Sequence, residues 1–84
     1  MNKLKEEVIR NKFRRKFRHL SKRTLENMIP QLRNEIYVLN SKIHSVGEMD
    51  SSKLKEKRSI KGIEIIEVER ALIRIESQTK IKEL

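Results

Sequence analysis

The first quarter of the chain carries the residues with the clearest chemistry, a dense set of cationic side chains that can bind anions. Residues 1–23 contain ten basic and two acidic side chains, which gives this segment a charge of +8 within a chain of net charge +9. Residues 24–84 are nearly balanced, with eleven basic and ten acidic side chains. A charge distribution this uneven predicts a polyanionic partner, either nucleic acid or an anionic membrane surface.

Arginine suits such a partner because its planar guanidinium group can donate to two phosphate oxygens at once. We expect the following residues to contact phosphate groups: Arg10, Lys12, Arg14, Arg15, Lys16, Arg18, Lys22 and Arg23. Arg14, Arg15 and Arg18 lie off the apolar face of this segment or at its edge, so we expect folding not to depend on them. Phosphate contacts position a protein on nucleic acid without reading its sequence. The sequence therefore predicts recognition mainly of the backbone, of DNA or of RNA.

Two phenylalanines lie among these charges and leave three interpretations open. The apolar spacing predicts a helix over residues 3–19, with Phe13 and Phe17 on its single apolar stripe. The stripe could anchor a phosphate-binding helix, or it could dock a solubilising helix on the rest of the chain. It could also enter the headgroups of a membrane surface, as amphipathic basic helices do.

The sequence offers no arrangement of residues for catalysis. His19 and His44 stand alone, with no metal ligand at the required spacing on the same predicted helical face, and the chain has no cysteine. Two glycines are too few for a phosphate-cradling loop, and Glu48 with Asp50 does not make a calcium site. We therefore expect no enzyme activity, no metal, no cofactor and no small-molecule substrate. No apolar run reaches the length of a membrane span, and the cytoplasm is the expected location.

A heptad pattern organises the middle of the chain. Apolar residues recur at alternating intervals of four and three: Leu25, Ile29, Leu32, Ile36, Leu39, Ile43 and Val46. At these intervals they form one stripe along a helix, here called the seam, and the stripe must face another helix. That helix could belong to the same chain, to a second copy in a homodimer, or to another helical protein.

These patterns predict an all-α fold in which a basic N-terminal helix precedes an antiparallel helical hairpin with coiled-coil-like packing. The basic amphipathic helix falls within residues 1–20 and the hairpin within 21–84. The hairpin helices are expected at about 22–45 and 52–78, joined by a loop at 46–51. A connection this short makes two long helices antiparallel neighbours.

Capping residues indicate where these helices begin and end. Ser21 suits the N-cap of the second helix, because its hydroxyl can accept from the unpaired amides of a helix start. Gly47 suits the closing position of that helix. Asp50 or Ser51 suits the N-cap of the third helix.

Two stretches allow a second interpretation. Pro30 predicts either a kink within the second helix or the first position of a main helix that begins there, and the steady seam favours the kink. Residues 63–69 partly alternate between Ile and Glu, which is also typical of a strand, but the helix formers that follow favour a helix. Residues 79–84 are expected to be loose.

The stretch Thr24-Leu25-Glu26, together with Met28 and Leu32, resembles the N-terminal dimerisation region of the H-NS type of bacterial nucleoid proteins. That region has arginine-bearing short helices followed by a coiled-coil helix. The resemblance covers residues 18–39, and Pro30 departs from it. It implies a partner or modulator of such proteins rather than a nucleoid protein itself.

Two functional hypotheses follow. The first is a small nucleic-acid-binding accessory or regulatory protein that recognises the phosphate backbone and is dimeric. The alternative is a protein–protein interaction module, namely a coiled-coil adaptor or modulator of an H-NS-like nucleoid protein or of another acidic partner. Polyanion binding weakens steeply with salt, whereas an apolar helix interface does not, so salt dependence separates the two hypotheses.

Overall fold

The chain folds into three α-helices, as the sequence predicts. The computed structural model describes residues 3–46 and 51–83, with side chains up to residue 78. Helix α1 is Lys3–Phe17, α2 is Lys22–Val46 and α3 is Ser52–Glu83. No strand occurs within these described ranges, so the helical interpretation of residues 63–69 is confirmed.

Serine residues precede both helices of the hairpin. The Ser21 hydroxyl accepts a hydrogen bond from the Thr24 amide at 3.2 Å, which satisfies one of the amides that a helix start leaves unpaired. The predicted cap at Ser21 is therefore confirmed. Ser51 stands in the corresponding position before α3, where its carbonyl oxygen accepts from the Lys55 amide at 2.8 Å. The predictions for Gly47 and Asp50 lie outside the described residues.

Pro30 lies within α2, which is continuous from Lys22 to Val46. Proline lacks an amide proton, so α2 loses one intrahelical hydrogen bond at this residue. Leu25 and Leu32 are buried on either side of it, and this packing holds the helix together across the gap. The alternative in which Pro30 begins the main helix is wrong.

Two helix ends differ from the predicted ones. Helix α1 ends at Phe17, and the chain then turns through residues 18–20 into α2. Helix α3 continues to Glu83, so the prediction that residues 79–84 are loose is wrong for 79–83. This stretch contains good helix formers and neither glycine nor proline, so nothing in it stops the helix.

Helix α3 lies between the other two helices and packs against both. On its α2 side, Lys61 is paired with Glu35 at 2.8 Å. One turn towards the start of α3, Arg58 donates to the Asn40 side chain at 2.9 Å. Residue numbers thus rise along α2 as they fall along α3, which makes the hairpin antiparallel.

On its other side, α3 carries α1, and these two helices run in the same direction. Lys5 is paired with Glu56 at 2.8 Å, and further along both helices Arg14 Nε lies 3.2 Å from a Glu67 carboxylate oxygen. Helix α1 therefore packs along α3, although α2 separates the two helices in sequence.

The core lies where the end of α1 meets the beginning of α2 and the second half of α3. Phe17, Leu25, Leu32 and Val68 are buried there in one cluster. Phe13 packs against this cluster with its ring stacked on that of Phe17, the two centroids being 5.6 Å apart. The phenylalanine stripe thus docks α1 on the rest of the chain, and Phe17 is not available to a membrane surface.

The seam faces α3 most closely in its first half. Leu25 and Leu32 are buried, Ile29, Ile36, Leu39 and Ile43 are half-buried, and Val46 is 50% exposed. The seam therefore builds a core within the chain. Towards the end of α2 the apolar side chains become progressively open to solvent.

Candidate nucleic-acid interface

A buried carboxylate ties the basic helix to α3. The side chain of Glu67 is only 1% exposed, although it carries a formal charge. Its two oxygens lie 3.5 Å from Arg10 Nη1 and 3.2 Å from Arg14 Nε on α1, and 3.4 Å from Arg70 Nη1 on its own helix. A buried charge is tolerated when it is paired in this way, so these arginines are part of what holds α1 in place.

Among the predicted phosphate-binding residues, Arg10 pairs with two carboxylates of the protein. Besides Glu67 it contacts Glu6 one turn earlier on α1, at 2.8 Å between Nη2 and Oε1. The hydrogen bond that Arg10 donates to the Glu6 carboxylate raises the pKa of Arg10 further above its already high ordinary value. Its side chain is 23% exposed, and both of its terminal nitrogens contact carboxylates of the protein.

Several cationic side chains line a groove between α1 and α3. It has a volume of about 360 Å³ and is lined by Asn11, Arg14, Arg15, Arg18 and Arg74. Arg15, Arg18 and Arg74 have no carboxylate partner among the residues that the structure describes. Arg14 contacts Glu67 and also lines the groove, where its side chain remains 44% exposed.

Helical geometry explains why these residues meet. Asn11 and Arg15 lie one turn apart on α1. Arg18 follows the end of the helix and continues their stripe, because its amide still donates to the Arg14 carbonyl at 3.1 Å. Arg74 follows Glu67 by two helical turns and therefore lies on the same side of α3, the side that α1 covers. Docking of α1 through Glu67 thus brings the α1 stripe beside Arg74.

The groove continues into a more apolar depression of about 280 Å³. Arg18 and Arg74 line both, and Phe17, Ala71, Ile75 and Gln78 complete the second one. These two arginines therefore stand at the centre of one longer channel along the α1–α3 junction. One part of this channel is rich in guanidinium groups and the other is floored by apolar side chains.

The other predicted phosphate-binding residues lie outside the groove. Lys12 and Lys16 are exposed, and at about 100° per residue they fall on the opposite flank of α1 from Arg14 and Arg18. Lys22 lies 3.9 Å from Glu26 on α2. Arg23 is exposed near the same helix start. The structure therefore brings together Arg14, Arg15 and Arg18 of the predicted set and leaves the rest dispersed.

Sequence reasoning missed Arg74. This arginine belongs to residues 24–84, whose charges nearly cancel, so nothing in the local composition distinguishes it. A partial signal was present in its spacing from Glu67, but that signal acquires meaning only once Glu67 is known to face α1. The site thus depends on a tertiary contact between distant parts of the chain.

Elsewhere on the surface, several cations are balanced by carboxylates. The Lys5 ammonium lowers the pKa of Glu56, so this contact contributes at neutral pH and is lost as the pH falls through the lowered value. The Glu35 carboxylate raises the pKa of Lys61, so that contact persists until the pH rises through the raised value. Arg15, Arg18 and Arg74 contrast with these pairs, because no carboxylate in the described part of the chain balances them.

No group of His, Asp and Glu in the described part of the chain is arranged to hold a metal ion. Among those same residues, no helix is both long and apolar enough to cross a membrane. No protein-family model, no curated protein and no solved structure matches the chain.

Proposed function

We propose that this protein binds nucleic acid through the phosphate backbone and that the α1–α3 groove is the binding site. The observation that carries this proposal is the convergence of Arg15 and Arg18, at the end of α1, with Arg74 of α3, where no carboxylate of the described residues balances them. Guanidinium groups held close together repel one another, and a chain of phosphates relieves this repulsion with bidentate hydrogen bonds. The adjoining channel offers room for the sugar-phosphate backbone to continue past Arg74.

The decisive experiment is a salt titration of binding to three labelled probes: duplex DNA, single-stranded DNA and a structured RNA. We expect binding by fluorescence anisotropy to weaken linearly on a log–log plot, because each neutralised phosphate releases a counterion. Replacing Arg15, Arg18 or Arg74 singly by Gln should reduce the slope by roughly 0.9 for duplex DNA or 0.7 for a single strand. The reduction should be similar across sequences, since these contacts do not read bases.

Arg33→Gln provides the matched control, because Arg33 is exposed on α2, has no carboxylate partner among the described residues and lies outside the groove. It removes the same charge and should leave the slope nearly unchanged. Absence of binding to all three probes even at low salt would contradict the proposal. If Arg33→Gln changes the salt slope as much as the groove variants do, binding depends on the net charge of the protein, and the assignment of the site to the groove is wrong.

A second candidate function is a protein-interaction module, and one observation favours it. Tyr37 is 71% exposed and Val46 is 50% exposed, although both lie on the helix that carries the seam. Leu25 and Leu32, which carry the resemblance to H-NS-type proteins, are buried within the chain. A partner of that kind, or a second copy, would therefore have to contact the open end of α2 rather than the start of the seam.

A further inference from the structure

We propose that the open side of the hairpin binds an amphipathic helix with acidic flanks, supplied by another protein. This surface shares no residue with the groove between α1 and α3, which we call the arginine groove. It consists of two adjoining depressions between α2 and α3, which meet at Val38. We call the two depressions together the hairpin groove.

The floor of the hairpin groove is apolar and accessible. Val38, Leu39 and Ile60 line one depression of about 360 Å³. Val46 and Leu54 line the other, of about 330 Å³, beside Tyr37 and Val38. Val38 is 40% exposed and Val46 50% exposed, so both keep a large part of their contact with water. An open groove with an apolar floor can accept the apolar face of a helix.

The length of the groove fits a helix. Its α2 lining extends from Asn34 to Val46, which at 1.5 Å per residue corresponds to roughly 18 Å, or about three helical turns. A helix that lays an apolar face into a groove uses anchors at intervals of three and four residues over this distance. The groove is therefore long enough to accept two or three such anchors.

The charged residues at the rim of the hairpin groove indicate the charge of the partner. Lys42 and Lys57 stand at the groove, and neither has a carboxylate partner among the described residues. The carboxylate of Glu35 also lies at the rim but is paired with Lys61 at 2.8 Å. Among the described residues the unbalanced charge at the rim is thus positive, and a partner with Glu or Asp beside its apolar stripe complements it. A second copy of this basic chain would instead bring its own lysines to the same interface.

The test uses three labelled peptides of one length that are measured by fluorescence anisotropy. The first has leucines at helical spacing flanked by Glu, the second has Lys in place of every Glu, and the third is a scrambled form of the first. We expect the first to bind, the second to bind at least roughly tenfold more weakly, and the third not to bind. Val38→Asp should weaken binding of the first peptide by roughly tenfold or more.

Two further variants separate this site from the arginine groove. Reversing Lys42 and Lys57 to Glu should lower affinity for the Glu-flanked peptide and raise it for the Lys-flanked one. Arg15→Gln with Arg18→Gln should leave peptide affinity unchanged. The proposal is overturned if no peptide binds, if both flanked peptides bind alike, or if only the arginine variants weaken binding. It is also overturned if sedimentation shows a dimer that Val38→Asp converts to monomer, because the occupant is then a second copy.

Discussion

Replacing Glu67 by Lys is expected to lower the free energy of unfolding by roughly 3–5 kcal/mol, the cost of leaving a buried ion-pair network without its partner. The native carboxylate is 1% exposed and lies among Arg10, Arg14 and Arg70. A lysine there would add a fourth positive charge to this cluster and leave three guanidinium groups unbalanced. For a chain of this size, whose stability is expected to be roughly 4–13 kcal/mol, the loss is a large fraction of the total.

Urea unfolding followed by far-UV circular dichroism measures this effect. Glu69→Lys is the matched control, since Glu69 is exposed on the same helix and the substitution changes the net charge equally. A surface change of that kind should remain within about 0.5 kcal/mol of the unmodified protein. If both variants unfold at the same urea concentration as the unmodified protein, Glu67 does not fasten α1 to α3.

Reversing Arg15, Arg18 and Arg74 together to Glu is expected to abolish nucleic-acid binding. Three lost phosphate contacts at about 1.4 kcal/mol each amount to roughly a thousandfold in affinity, and the new carboxylates add repulsion. Thermal stability should change little, because none of these arginines is paired with a carboxylate among the described residues. Anisotropy with the labelled probes measures the affinity, and circular dichroism measures the stability.

Arg14 is left unchanged in this variant for a structural reason. The sequence groups it with Arg15 and Arg18 as a residue on which folding does not depend, and the structure shows that this expectation is wrong for Arg14. Its Nε lies 3.2 Å from the buried Glu67, so Arg14→Glu would place two carboxylates against each other.

The matched control for the triple reversal is Arg33, Lys53 and Lys55, each replaced by Glu. All three residues are exposed, they lie outside the arginine groove, and their reversal lowers the net charge by the same amount. Affinity should fall only modestly in this control, through the weaker field of the whole molecule. Comparable losses in the two variants would show that net charge, rather than the groove, governs binding.

The helices were predictable because their signals are local. The seam repeats at intervals that only a helix brings to one face, and Ser21 marks a helix start by its own hydroxyl. The role of Glu67 was not predictable in this way. In the sequence it stands in an alternating Ile and Glu stretch that resembles a half-buried strand, and its burial depends on where α1 docks.

The same limit applies to the arginine groove. Charge counting identified the segment that supplies most of its cations, but it could not tell which of them the fold would neutralise. Arg10 is largely engaged by Glu6 and Glu67, whereas Arg74 contributes to the groove from a segment that is nearly neutral overall. Local composition therefore located the site only to within one helix.

The docking of α1 on α3 also has a kinetic consequence. The hairpin forms between neighbouring segments, whereas Arg14 and Glu67 are 53 residues apart in sequence, so α1 must close a long loop before it gains their contact. We therefore expect α1 to be the last helix to attach and the first to open in local fluctuations. Because the arginine groove exists only while α1 is attached, any polyanion bound there favours the closed form by mass action. The ligand would thus complete the folding of its own site.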